Sequence, residues 1–347
     1  MKRWMVTAVA GLAVVVGLLV APGSAQASSS AWYQVHRASA RGSFDQTAAI
    51  SRNNIWSVGR TYTASGKEIY KPFIRHYDGR SWKTVTIPGT PGFTADWVSA
   101  SSAKNVWVGG QKKKSSTRAT VVYRWNGKRW SKIPLPAQTA LLGVTVLSST
   151  NVWAYGLSGK ITDDLFHWTG KKWHYYLDDS TNFIPQDLSA SGPKNVWVSG
   201  FTWSGNKRLV AAYRWNGTAW HSVKMSHPVT YTGPSVTAVS ASNVWIGWDT
   251  TTSQRALHWD GHRWHTMTVP VDGNTSDIVP DGKGGYWFGA GASLTKKSTW
   301  VPRQLPESRG GIGGVTRIPG TTSFLMNAGA AVGDDTVVRP TIFRFDL

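Results

Sequence analysis

The chain has 347 residues, a formal net charge of +20, 21 tryptophans and no cysteine. The missing thiol excludes disulfides and a lipid anchor on Cys, a state an exported chain tolerates when its core is large. A strong positive balance speaks to partners and solubility, not to fold, and points toward anionic wall polymers, acidic glycans or membrane surfaces.

Residues 1–27 read as a secretion signal. Lys2 and Arg3 supply a positive start, Met5 to Val20 is apolar, and Ala25-Gln26-Ala27 has the small-residue pattern of a cleavage site. Once this leader is removed the charge is +18, from 36 cations and 18 acids, and no membrane-spanning segment is expected to remain. The expected location is outside the cell, in association with the cell wall.

Residues 28–347 are read as one domain, although their length alone suggests two. The first segment, Trp32-Tyr33-Gln34-Val35, resembles Trp130-Ser131-Lys132-Ile133 but has no partner strands before it. After it a signature recurs: Asn54-Ile55-Trp56, Asn105-Val106-Trp107, Asn151-Val152-Trp153, Asn195-Val196-Trp197 and Asn243-Val244-Trp245, with weaker copies at Gly285-Tyr286-Trp287 and Ser323-Phe324-Leu325. A second motif follows each strong copy: Tyr77-Asp78-Gly79 to Trp82, Trp125-Asn126-Gly127 to Trp130, Trp168-Thr169-Gly170 to Trp173, Trp215-Asn216-Gly217 to Trp220, and Trp259-Asp260-Gly261 to Trp264. The glycine supplies the positive φ that a tight hairpin turn demands, so each copy ends in a β-hairpin.

Fixed Trp and Gly positions at this period, without a helical pattern, predict an all-β, seven-bladed β-propeller of four-stranded antiparallel blades. Strand a is the small apolar run, b carries Asn-Val-Trp, c leads into Asn-Gly, and d starts at the closing Trp. The blades are placed at 43–88, 93–136, 139–178, 184–227, 233–270, 275–306, and 311–347 completed by 31–37. Blade 6 is expected to have a cut-down b–c hairpin, because Trp287 to Trp300 spans 13 positions where Trp107 to Trp130 spans 23. The chain ends in a strand c, Ile342 to Leu347, and lacks its own strand d. Pairing of about 32–35 with about 341–346 is therefore expected to close the ring and remove two open edges.

On this plan the a–b and c–d turns share a face with ten cations, Arg52, Arg80, Lys104, Lys128, Arg129, Lys171, Lys172, Lys194, Arg263 and Lys283, against Asp78, Asp260 and Asp281. Of these, Lys128, Arg129, Lys171, Lys172 and Arg263 fall between the turn Gly and the closing Trp, where a ring of charge could grip a polyanion. Trp203 and Trp248 are out of phase with the repeat, in or beside b–c loops near Tyr62, and are candidates for stacking on sugar rings. Asp45, Asp96, Asp187 and Asp277 fall eight or nine residues before their repeat's Asn and are expected to cluster near the channel mouth. One acid per blade round a wide ring does not make a metal site, so no metal or cofactor is expected. His76, His167 and His258 alternate with Arg124, Arg214 and Arg344 at one repeat position, which indicates packing or cation–π support. Only Glu68 and Glu307 supply glutamate, and no paired carboxylates or Ser/His/Asp grouping stands out.

On these motifs the chain resembles secreted bacterial β-propellers with Asn-Val-Trp and Trp-Asn-Gly-x-x-Trp repeats, loosely grouped with kelch and galactose-oxidase-like propellers. It departs from kelch, with a double glycine two residues past the strand-b Trp only at Gly109-Gly110, and from WD repeats, with Trp-Asp only at Trp248-Asp249 and Trp259-Asp260. The sialidase Asp-box is missing, and galactose-oxidase chemistry would need a Cys. The resemblance implies a fold, and an enzymatic label does not travel with it. The expectation is a monomeric, secreted, non-enzymatic protein that binds glycans or anionic cell-surface polymers, with nucleic acid not expected. The alternatives are an extracellular protein-interaction scaffold and a polysaccharide hydrolase or lyase.

Overall fold

The computed structural model describes residues 31–347 apart from 89–91, 113–119, 138, 158–162, 177–181, 224, 230–232, 251–252, 271–276, 290, 307–310 and 332–335. The secretion-signal reading, over residues 1–27, lies outside the described residues. No described helix is long and apolar enough to cross a membrane.

The described residues form seven four-stranded antiparallel sheets, each paired in the order a-b-c-d. Blade 4 shows the pattern at full length: Phe183–Gly192, Asn195–Ser204, Lys207–Trp215 and Trp220–Val223. Neighbouring strands a meet one another all the way round, so they form the inner wall of the ring. Blade 6 is the short one, as its spacing predicts: Tyr286–Phe288 and Ala292–Leu294 are separated by three residues.

The ring closes as the motif count requires. Tyr33–Arg37 pairs with Arg339–Asp346, with Tyr33 opposite Arg344 and Gln34 opposite Phe343. Trp32 takes the place of the closing Trp, its ring 5.4 Å from both Trp287 and Phe345. The first described strand thus covers an edge of the last blade that would otherwise be free to pair with another chain.

Seven hydrophobic clusters lie between the seven pairs of consecutive blades. The strand-b indole of one blade meets an aromatic of the next: Trp56 with Trp130 at 5.8 Å, Trp107 with Trp173 at 6.3 Å, Trp153 with Trp220 at 5.2 Å and Trp197 with Trp264 at 5.8 Å. Edge-to-face geometry prevails, as the ring quadrupoles favour.

Strand b also carries a buried clasp. The Asn105 Oδ1 accepts the Trp107 indole N–H at 3.1 Å and the Arg124 Nε–H at 2.7 Å. In blade 1 the same acceptor on Asn54 meets Trp56 Nε1 at 2.8 Å and His76 Nε2 at 3.1 Å. An indole N–H can only donate, so the Asn atom it meets is the oxygen and the imidazole Nε2 must carry a hydrogen. The imidazoles lie flat on the indoles, at 4.0 Å and 6° for His167 on Trp153 and at 4.1 Å and 14° for His258 on Trp245. The exchange of His and Arg at this position therefore serves packing. Burial pushes His76 and His258 down, and His167 down to about 4.

Candidate functional site

The c–d turns of blades 1, 2, 4 and 5 are built from one local device, whereas in blade 3 the Thr169 hydroxyl donates to the Lys172 carbonyl instead. In blade 2, Gly127 turns the chain at φ 93°. The Asn126 Oδ1 accepts the amides of Lys128 and Arg129 at 2.9 Å each. Asp260 does the same for His262 and Arg263. Because the backbone donors are satisfied within the turn, the side chains at these two positions are free to point outward. The a–b turn joins in: a Cβ at Gly127 would fall 2.7 Å from Lys104 Cγ, and one at Gly217 would fall 2.8 Å from Lys194 Cγ. Lysine stems of one turn thus lie across the glycine of the other and add their ammonium groups to the same face.

Lys128, Arg129, Lys171, Lys172 and Arg263 are exposed. None of the five forms an ion pair among the described residues. The acids nearby are engaged elsewhere. Asp78 holds Lys83 at 2.5 Å and the turn amides of Ser81 and Arg80, which keep its carboxyl well below the usual range. Asp260 is held down in the same way by His265, 2.6 Å away, and by its turn amides.

The opposite end, with the b–c hairpins and d–a connections, is irregular. Trp203 is 45% exposed near the tip of the blade 4 hairpin. Its ring stands edge-on to Phe201 at 6.1 Å and 85°, and the Arg208 guanidinium lies 5.1 Å over Phe201. Tyr62 ends strand b of blade 1, half-buried and paired with Glu68. Trp248 does not join them as a stacking platform, because only 2% of it is accessible. Five residues past the Asn, four blades carry Gly59, Gly110, Gly156 and Gly200, where a Cβ would fall between 1.8 and 2.1 Å from a backbone carbonyl oxygen in strand a or, for Gly110, at Thr94 just before it. Blade 5 has Trp248 at that position. Its indole packs into the inter-blade core, 5.3 Å from the His227 ring.

The four aspartates take two kinds of partner. Asp45 and Asp96 share Arg60, at 2.9 and 3.2 Å, with Glu68 at 3.6 Å. Asp187 and Asp277 instead stitch blades together. Asp187 Oδ2 accepts the Val236 amide of blade 5 at 2.8 Å, and Asp277 accepts the Val315 amide of blade 7. Asp45, Asp187 and Asp277 line a channel cavity of about 360 Å³ together with Thr47, Thr237 and Asn327. Both stitching carboxylates sit deep in the ring with an edge toward the channel. Burial pushes Asp187 up to about 6 and raises Asp277, while burial also raises Asp45, an effect Arg60 only partly offsets. No group of three or more metal-ligating side chains occurs among the described residues.

Arg60 was not evident as a site residue. The one available signal is that it stands six residues past Asn54, where the other blades have Gln111, Leu157, Phe201 and Asp249. Its partners come from two blades, which phase counting cannot join.

No protein-family model matches the chain, and no curated protein matches its sequence. Solved structures do match the fold. YCF48 from Cyanidioschyzon merolae aligns at TM-score 0.60 and 15% identity over 91% of this chain and 98% of its own. YCF48 bound to D1 peptide aligns at 0.59 and 13% identity, over 91% and 95%. The β-propeller domain of the Trilobed protease from Pyrococcus furiosus, described as having an open velcro topology, aligns at 0.58 and 10% identity, over 88% and 96%. Fucose-binding lectins also match, at 0.47 and 0.41, too loosely to carry an argument. At these identities the likeness is one of fold: this chain is a β-propeller similar to those solved.

Proposed function

We propose that the protein is exported and binds glycans or anionic cell-surface polymers without a chemical step, with its turn face as the main contact. The observation that carries this reading is the set of exposed cations, Lys128, Arg129, Lys171, Lys172 and Arg263, presented by repeated turns without ion-pair partners among the described residues. A polyanion laid on such a face gains by releasing its counterions, and its affinity falls as salt rises. Trp203 adds an aromatic surface at the other end for a sugar ring.

The test measures binding of the mature chain to immobilised heparin and lipoteichoic acid at about 0.05 and about 0.5 M NaCl. Binding that weakens at least tenfold at the higher salt, about 1.4 kcal/mol, is expected. Glu substitutions at Lys128, Arg129, Lys171 and Lys172 are expected to abolish it. Unchanged binding in that fourfold variant sinks the reading.

A second reading is an extracellular protein-interaction scaffold. It draws on the exposed Trp203, and on the peptide seen with YCF48, a protein of the same fold. Capture of a secreted partner that is lost with Trp203→Ala and insensitive to salt would favour it.

A further inference from the structure

The outer edge of blade 4 has a break. Strand d, Trp220–Val223, covers strand c as far as Ala212, and edge pairing resumes only where Val210 N donates to His227 O at 2.8 Å and Val229 N to Arg208 O at 3.0 Å. Between these points no pairing to strand c occurs among the described residues. The break opens a cavity of about 530 Å³ that reaches across to Leu257 and Trp264 of blade 5, a size within the range of small-molecule sites.

Its lining has a definite chemistry. Tyr213, Phe183 and Trp264 supply rings, with Phe183 and Tyr213 edge-on to each other at 4.8 Å. The Tyr213 hydroxyl, the Ser222 and Ser226 hydroxyls and the His227 ring nitrogens make no hydrogen bond to protein among the described residues. None of the described lining residues is Asp, Glu, Lys or Arg, and burial together with the Arg255 charge pushes His227 down. A cationic ligand would give up its hydration there beside the Arg255 charge and without a carboxylate among the described lining residues. A wholly apolar ligand would strip water from four polar groups and give nothing back. A ligand with an apolar C–H face and a rim of hydroxyls satisfies both halves of the lining.

We infer that the cleft between blades 4 and 5 is a binding site for a saccharide, stacked on the Tyr213 and Trp264 side and hydrogen-bonded by Ser222, Ser226 and His227. The inference rests on the glycan half of the reading above and assigns it a place separate from the basic turns.

The test is saturation-transfer NMR on the mature chain with cellobiose, maltose, lactose and chitobiose. It is run at about 0.5 M NaCl, where the Debye length shrinks to a few ångströms and contacts with the turn face are screened. At least one of the four is expected to bind. Ser226→Trp, which fills the cleft from an exposed position, is expected to weaken that binding at least about tenfold. The Lys128→Glu/Arg129→Glu variant is expected to leave it unchanged, so a failed polyanion reading does not masquerade as a failed cleft. If Ser226→Trp does not fold, Tyr213→Phe is read in its place, with loss of the hydroxyl expected to weaken binding several-fold. No binding by any of the four sugars, or binding that the cleft variant leaves intact, overturns the inference.

Discussion

Strand b begins and ends in different physics. At the turn end, Trp107 has no accessible surface and its indole N–H is held by Asn105, whose oxygen also takes Arg124. At the hairpin end, Trp203 has nearly half its surface in solvent, Arg60 gathers three carboxylates, and Trp248 stands where other blades have glycine. The first end repeats because each blade must nest against the next, and one indole with one buried acceptor is the unit that does it. The second end is released from that demand, so the chain can vary there without losing the ring.

The largest effect that would break this comparison is at the sealed end. Trp107→Ala is expected to cost about 3–5 kcal/mol, the range for a buried aromatic cut to Ala. Urea denaturation measures it, and a loss below about 1 kcal/mol would mean that the indoles are not the spacers between blades. Asn105→Ala keeps the ring in place but leaves the Trp107 N–H and the Arg124 guanidinium without their shared acceptor, an expected cost of about 1–3 kcal/mol. An Asn105→Ala variant as stable as the parent would reduce the clasp to an accident of phase.

Titration sharpens the same contrast, because a clasp imidazole and a channel carboxylate respond to acid with opposite sign. His167 is pushed from 6.5 to about 4, so the unfolded chain takes up its proton first. Its contribution is present above pH 6.5 and is lost as pH falls toward about 4. Asp187 is lifted from 3.8 to about 6, so the folded chain holds a proton that the unfolded one releases. Between about 6 and about 4 acidification therefore stabilises through this group. In a series of Tm against pH, His167→Gln is expected to flatten the acid loss and Asp187→Asn to steepen it. A change of the same sign in both would refute the assignment.

What the sequence revealed follows from the same division. The seven blades, the short hairpin of blade 6 and the closure by Tyr33–Arg37 were legible because each depends on indole and glycine phase. Trp248 was misread as exposed, although its place in the phase, five residues past Asn243, is where four other blades carry a glycine close-packed against backbone, which marks the position as interior. The aspartates were legible along the chain, but their partners across it were not. Asp187 finds its partner amide on Val236, 49 residues away in the next blade, and Asp45 and Asp96 meet at Arg60, which has no phase mate. The cleft at blade 4 was invisible, because it arises from a break in edge pairing between Val223 and His227 rather than from any motif.

The smallest expected effect comes from the same substitution made at the open end. Trp203 touches Phe201 edge-on and faces Arg208 across the hairpin, while the Asn182 side chain bonds only its backbone carbonyl, which an alanine retains. An aromatic pair is worth about 0.5–1.5 kcal/mol when packed, and a half-solvated ring falls at the low end. Trp203→Ala is thus expected to shift stability by no more than about 0.5 kcal/mol in the urea series that registers several for Trp107→Ala. If the two losses came out alike, the hairpin end would be as sealed as the turn end and Trp203 would be there for packing. If the stability holds, the exposed indole contributes little to the fold, and its solvent-facing surface is available to a ligand.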